Sequence, residues 1–168
     1  VVDNASLTAT SGPWMEFGIG EDTKYNDVFR RLYDAFYRQN IATDVLDPKL
    51  IDPAKYDLLV VPMLYTATDE FLQKLNDYVE NGGHVLYTFK DGVANEHVKV
   101  RTTRQPGIIS QAVGAHYEMF VDPNGEGLAD SSGVFKDVDG QISNWAELLE
   151  TDGAKVLATY DHHWKSYA

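Results

Sequence analysis

The chain has 168 residues, with 14 basic and 26 acidic side chains, a formal charge of −12 and no cysteine. That length suits a single domain, and so acidic a surface repels phosphate backbones, which argues against nucleic-acid binding. Without cysteine there are no disulfides, thiolate metal sites or cysteine nucleophiles; with no apolar run near the ~20 residues of a membrane span, a soluble cytoplasmic protein is expected.

Val1 to Asp3 reads as the end of a strand, and the Ser/Thr/Gly-rich stretch from Asn4 to Gly12 as a loop. From Lys24 to Asn40, Tyr25, Val28, Phe29, Leu32, Phe36 and Tyr37 share one face at helical spacing, with Arg30, Arg31, Asp34 and Arg38 opposite. Ala42 to Leu46 reads as an edge strand before the Asp47-Pro48 turn. The continuous apolar run Tyr56 to Met63 predicts a strand covered on both faces. Thr68 then offers an N-cap, Asp69 and Glu70 place negative charge in the first turn, and Phe71, Leu72, Leu75, Tyr78 and Val79 form a buried stripe. Gly82-Gly83 ends that helix, and Val85 to Phe89 is the next strand.

Further on, Gly107 to Gly114 predicts a short helix and Tyr117 to Val121 a strand. Asp122 to Gly140 is loop-rich with at most a short hairpin. Asn144 to Glu150 predicts a second short helix, and Lys155 to Tyr160 a last strand. This alternation favours a mostly parallel sheet between helix layers, a flavodoxin-like three-layer α/β sandwich. Residues 1–168 are expected to form one domain. Both ends read as cut, as if the domain were a piece of a longer enzyme.

The unit from Asp57 through Pro62, a helix, and then Asn81 through Leu86 resembles the class I glutamine amidotransferases. In that family a cysteine sits on the elbow after the second strand. Here the elbow position falls near Phe89, which cannot attack a carbonyl. His162 and His163, near the family's base, are left with structural or surface roles. A flavin phosphate cradle at Ser6 to Gly12 is disfavoured, because about a dozen residues separate it from the next helical pattern. Asn95-Glu96 echoes a glycosidase acid/base pair, but Asp91, Glu16 and Glu21 lack any spacing that makes a second carboxylate. The five histidines have no metal-ligand spacing. No catalytic residue, cofactor or metal is expected.

Several stretches in order resemble the middle, trimerisation domain of family 42 β-galactosidases. They are Val2 to Ser6, Lys24 to Val28 with Arg31 to Asp34, Tyr56 to Tyr65, Leu75 to Gly83, Gly92 to Gly107, and Tyr160 to His162. The resemblance implies an amidotransferase-like fold without its cysteine, in an enzyme that removes terminal β-galactosyl units. It also implies that the catalytic glutamates lie in a separate (β/α)8 barrel. The partners would be that barrel and neighbouring subunits of a homotrimer. Loops at one edge of such a sheet would gather Trp14, Met15, Phe17, Tyr65, His97, Lys99, Arg101 and Arg104, residue types favoured at interfaces. The competing readings are a stand-alone amidotransferase-like hydrolase and a small-molecule-binding flavodoxin-like module.

Overall fold

The computed structural model describes residues 1–11, 24–123, 125–136, 142 and 145–161. Trp14, Met15, Glu16, Phe17, Glu21, His162 and His163 lie outside the described residues.

The fold is built around one β–α–β unit. Strand β1 (Leu58–Val61) leads through helix α3 (Asp69–Glu80) to strand β2 (His84–Tyr87), which pairs parallel to β1 from Leu58 opposite His84 to Val61 opposite Tyr87. Helix α3 starts where the sequence predicts, because the Thr68 hydroxyl accepts the Phe71 N–H at 3.2 Å. Leu72 and Leu75 are fully buried and Phe71 nearly so, packed with Leu59, Val61, Leu64, Ile51 and Ile109 in a single core. Two polar ties seat the helix: Lys74 Nζ donates to the Ile51 carbonyl at 2.8 Å, and the Tyr78 hydroxyl to that of Tyr56 at 2.7 Å. Gly83 lies under the Tyr78 ring, where a Cβ would come within 2.2–2.4 Å of three ring carbons.

Helix α2 (Tyr25–Arg38) forms as its periodicity predicts, but of its stripe only Tyr25 is buried. Phe29, Leu32 and Phe36 are half-buried, and Tyr37 is 69% exposed. Phe29, Tyr33 and Tyr37 instead form a ladder along the helix, with ring centroids 6.1 and 6.3 Å apart.

Two sequence expectations are corrected. Asn4 to Thr10 is a helix, α1, not a loop. Asp3 caps it by accepting the Ser6 N–H at 2.6 Å, and the Thr8 and Thr10 hydroxyls donate back to the carbonyls of Asn4 and Ser6. Ser6, fully buried, accepts the Thr66 N–H at 3.0 Å and so pins α1 against the chain leaving β1. The region expected as a helix from Asn144 to Glu150 contains strand residues instead. Ala146–Glu147 (β6) pairs with Phe120–Val121 (β4), and Glu150–Thr151 (β7) with Ala115–His116 (β3). Cross-strand pairing has overridden local propensity there.

A short helix α4 (Ser110–Val113) follows a 3-10 turn at Gly107–Ile109. Leu128–Asp130 (β5) pairs with Ala158–Tyr160 (β8) rather than folding back as a hairpin. Among the described residues three strand pairs are antiparallel, and the parallel ladder is β1–β2 with one parallel bridge, Thr66–Ala94. The chain is thus a mixed α/β structure with small sheets, and residues 42–46, expected as an edge strand, join no ladder among the described residues. No helix among the described residues is long and apolar enough to cross a membrane.

Candidate functional site

The carboxyl ends of β1 and β2 each lead to a non-glycine residue with positive φ, Met63 at +44° and Lys90 at +60°. After β2 the chain turns sharply at Lys90, a non-glycine residue with φ +60°. The elbow apex is therefore Lys90, one residue beyond the Phe89 position expected from the sequence. Its N–H donates to Glu147 Oε1 at 2.7 Å, and Trp145 Nε1 donates to the same oxygen at 3.2 Å. The lysine is only 6% exposed, and its Nζ lies 4.2 Å from the centre of the Trp145 ring. Phe120 also stacks on Trp145, with ring centroids 3.9 Å apart.

Next to the apex, Asp91 is 4% exposed and serves the backbone: Oδ1 accepts the Leu64 N–H at 2.5 Å, and Oδ2 the Thr88 N–H at 2.7 Å. Burial pushes its carboxyl up to about 8, against the downward pull of those two hydrogen bonds. Burial likewise raises Glu147 and lowers Lys90, and it raises the Tyr117 hydroxyl that bonds to Glu147. The turn after β2 holds Lys90 at a left-handed backbone angle, and its amine lies over an aromatic ring. The neighbouring carboxylates are occupied by main-chain amides and ring donors. Together these groups form a buried polar core of the turn.

The described interface candidates fall into four settings. Residues 64–67 and 92–101 run side by side, joined by Gly92 N–H to Leu64, Ala94 N–H to Tyr65, and Ala67 N–H to Ala94. That juxtaposition brings Tyr65, half-buried, close to the segment carrying the basic residues. His97 and Lys99 are exposed on a tight turn, where Asn95 Oδ1 accepts both of their N–H groups at 3.0 Å. Val98 at its tip is 46% exposed with φ +61°. Asn95-Glu96 is thus a turn, with Glu96 3.4 Å from exposed His97 rather than paired with a second carboxylate.

Arg101 belongs to a different class. Its side chain is 10% exposed and donates to the carbonyls of Gly92, Ala94 and Ala67 and to Asp69 Oδ1. It clamps the two segments together and is not a free loop charge. Arg104 is exposed, bonding Glu118 at 2.6 Å and His116 Nε2 at 3.1 Å. The sequence reading missed Met119 and Phe120, 60% and 44% exposed beside this arginine's partners. Their adjacency in one run, Tyr117-Glu118-Met119-Phe120, was the available signal.

The stretch from Ser6 to Thr10, expected as a polar loop ahead of a later helix, is itself part of helix α1. The first turn of α1 is instead occupied by the Asp3 carboxylate, so an anion is already in place. Among the described residues no group of three His, Asp or Glu is arranged to hold a metal ion.

Comparison with known proteins places these observations. The chain is 36% identical to β-galactosidase LacA of Lactobacillus acidophilus over 146 residues, covering 85% of this chain and 21% of that protein. It is 29% identical to β-galactosidase BgaB of a Geobacillus species over 141 residues, covering 84% and 20%. It thus spans about a fifth of the length of these curated relatives. A solved β-galactosidase from the haloarchaeon Halorubrum lacusprofundi superposes with TM-score 0.78 at 27% identity, over 95% of this chain and 23% of that one. That of Rahnella sp. R3 gives 0.77 at 26%, over 86% and 22%. Residues 14–168 match the family described as the β-galactosidase trimerisation domain, and the chain belongs to that family.

Proposed function

We propose that this chain is the non-catalytic assembly domain of a β-galactosidase that removes terminal β-galactosides. It would act as one unit of 168 residues, in the cytoplasm, beside a catalytic barrel of the same polypeptide and the neighbouring subunits of a homotrimer. The observation that carries the non-catalytic reading is the elbow: Lys90 occupies the apex, 6% exposed, with its amine over Trp145. The left-handed elbow after β2, following a parallel β1–α3–β2 unit, also supports an amidotransferase-like variant of the flavodoxin-like sandwich as the finer fold.

The edge formed by Tyr65, His97, Lys99 and Arg104 is the proposed assembly surface, with Trp14, Met15 and Phe17 assigned to it from sequence alone. Arg101 contributes by holding the edge in shape. Two measurements test the reading. The purified chain should show no turnover of a chromogenic galactoside and no glutaminase activity; turnover that survives repurification would overturn it. In the full-length enzyme, Lys99→Glu with Arg104→Glu should weaken the trimer in light scattering without lowering the melting temperature of the domain, because exposed charges add little to folding. An unchanged trimer at sub-micromolar concentration would remove this edge from the interface.

A further inference from the structure

We infer that the turn from Asn95 to Val100 is a preformed knob, anchored by Val98, that seats in an acid-rimmed cavity on a neighbouring copy of this chain. The inference rests on the assembly reading and names the contact through which it acts.

The turn is rigid before any contact is made. Asn95 Oδ1 accepts the N–H groups of His97 and Lys99 at 3.0 Å. The Asn95 N–H donates to the Lys99 carbonyl and the Val98 N–H to the Asn95 carbonyl, both at 2.9 Å. At its base Ala94 bridges Val100, and the Arg101 guanidinium holds the carbonyls of Ala94 and Ala67. Val98 at the tip has φ +61°, a left-handed angle that a β-branched side chain enters only under strain. Glycine would relieve that strain, so the fold itself does not call for valine here. Val98 and Val100 are nonetheless 46% and 52% exposed, with the exposed Lys99 between them in sequence. An apolar tip already fixed in shape gives up little freedom when it is buried by a partner.

A matching cavity lies on the same edge. It holds about 370 Å³ between the start of α1, residues 47–49 and the chain from Thr66 into α3. Buried Ala67 and Phe71 form apolar wall, while Asp3, Asp47, Glu70 and Glu96 set four carboxylates against the amines of Lys49 and Lys74. Lys74 is already engaged with the Ile51 carbonyl. Apolar wall under an excess of carboxylates is the complement of two valines beside an ammonium group.

The knob cannot enter the cavity of its own subunit, because Glu96 belongs to both the turn and the cavity wall. A second copy can supply the partner. In a closed ring one patch of each subunit meets a different patch of the next. A knob and a cavity that share a residue can face their counterparts around one axis. The formal charge of −12 agrees, since Lys99 then approaches an acidic neighbour.

The test uses the full-length enzyme, with light scattering over a dilution series. Val98→Gly should raise the dissociation constant of the trimer about tenfold or more, while this chain alone melts no lower than the parent sequence. Lys99→Glu and Glu70→Lys should each weaken the trimer, and the two together should restore it, because the reversed pair again has opposite charges. An unchanged trimer in Val98→Gly would overturn the inference, as would a double variant no tighter than either single change. The assembly reading is tested apart from it. If Lys99→Glu with Arg104→Glu dissolves the trimer while Val98→Gly and Glu70→Lys leave it intact, the edge assembles by another contact and the knob is discarded. A trimer that survives every variant removes both.

Discussion

Helices α2 and α3 are both amphipathic in sequence, and they end in opposite circumstances. Over 12 residues α3 buries Phe71, Leu72, Leu75 and even Asn76, while α2 over 14 residues buries only Tyr25. Helix α3 lies between two strands that pair with each other, so its apolar stripe meets a finished surface. Helix α2 faces an open groove, and its rings stack on one another along the helix. A hydrophobic period thus identifies the face that requires cover, and topology decides whether cover is present.

The largest test of this contrast removes a leucine from each helix. Leu72→Ala should cost about 2–5 kcal/mol, since its neighbours cannot close the cavity. Leu32→Ala, losing a half-buried side chain, should cost about 1 kcal/mol or less. Denaturant unfolding of both variants reads the difference, and equal losses would abolish the distinction. Next in size is the clamp at the start of α3. Arg101→Ala leaves the carbonyls of Gly92, Ala94 and Ala67 without their donor and should cost about 2–3 kcal/mol, whereas Arg104→Ala should change stability by less than about 0.5 kcal/mol. Thermal melts of the pair distinguish a structural arginine from a surface one.

A pH series probes the turn that follows β2. With its carboxyl pushed up to about 8, Asp91 keeps its proton in the fold at pH values where the unfolded chain has released it. The folded state then binds more protons, so stability falls as pH rises from about 4 towards 8. Glu147, also raised, acts in the same direction. The Val1 amine, lowered to about 6, opposes this between about pH 6 and 8. The cleanest window is therefore pH 4.5 to 6, where stability should drop by up to about 2 kcal/mol. Asp91→Asn should be less stable at pH 4.5, having lost an acceptor for one amide, but should show a flatter profile by calorimetry.

The smallest effects lie at the helix starts. Thr68→Ala should cost about 1 kcal/mol by removing the α3 cap. Lys24 begins α2 with no side-chain cap, so Lys24→Ser should stabilise by roughly 0.5–1 kcal/mol. Urea midpoints should move in opposite directions, and the same sign for both would undermine the capping argument.

What the sequence disclosed follows from where the information resides. The β1–α3–β2 unit was legible because Thr68, the Leu72–Leu75 stripe and Gly82-Gly83 each act locally. Helix α1 was not, because its serines and threonines favour turns until Asp3 and Thr66 fix them in place. The strands at Ala146 and Glu150 depend on partners some 30 residues away. At the candidate edge, the turn at His97 and Lys99 was legible as an exposed loop. Arg101 was not distinguishable from Arg104, because three of its four partners are main-chain carbonyls, which leave no mark in the amino-acid code.

The ring of Tyr78 resting on Gly83 has a consequence for how the gene can vary. Any side chain at position 83 must first evict that ring and with it the hydrogen bond from Tyr78 to the Tyr56 carbonyl, whereas position 82 opens onto empty space. The adjacent glycine codons therefore face unlike constraints: codon 82 has room for asparagine, which tolerates the left-handed backbone, while a change at codon 83 calls for a smaller residue at codon 78. A library that randomises the three codons together should recover non-glycine residues at 83 only in clones that have already lost the ring.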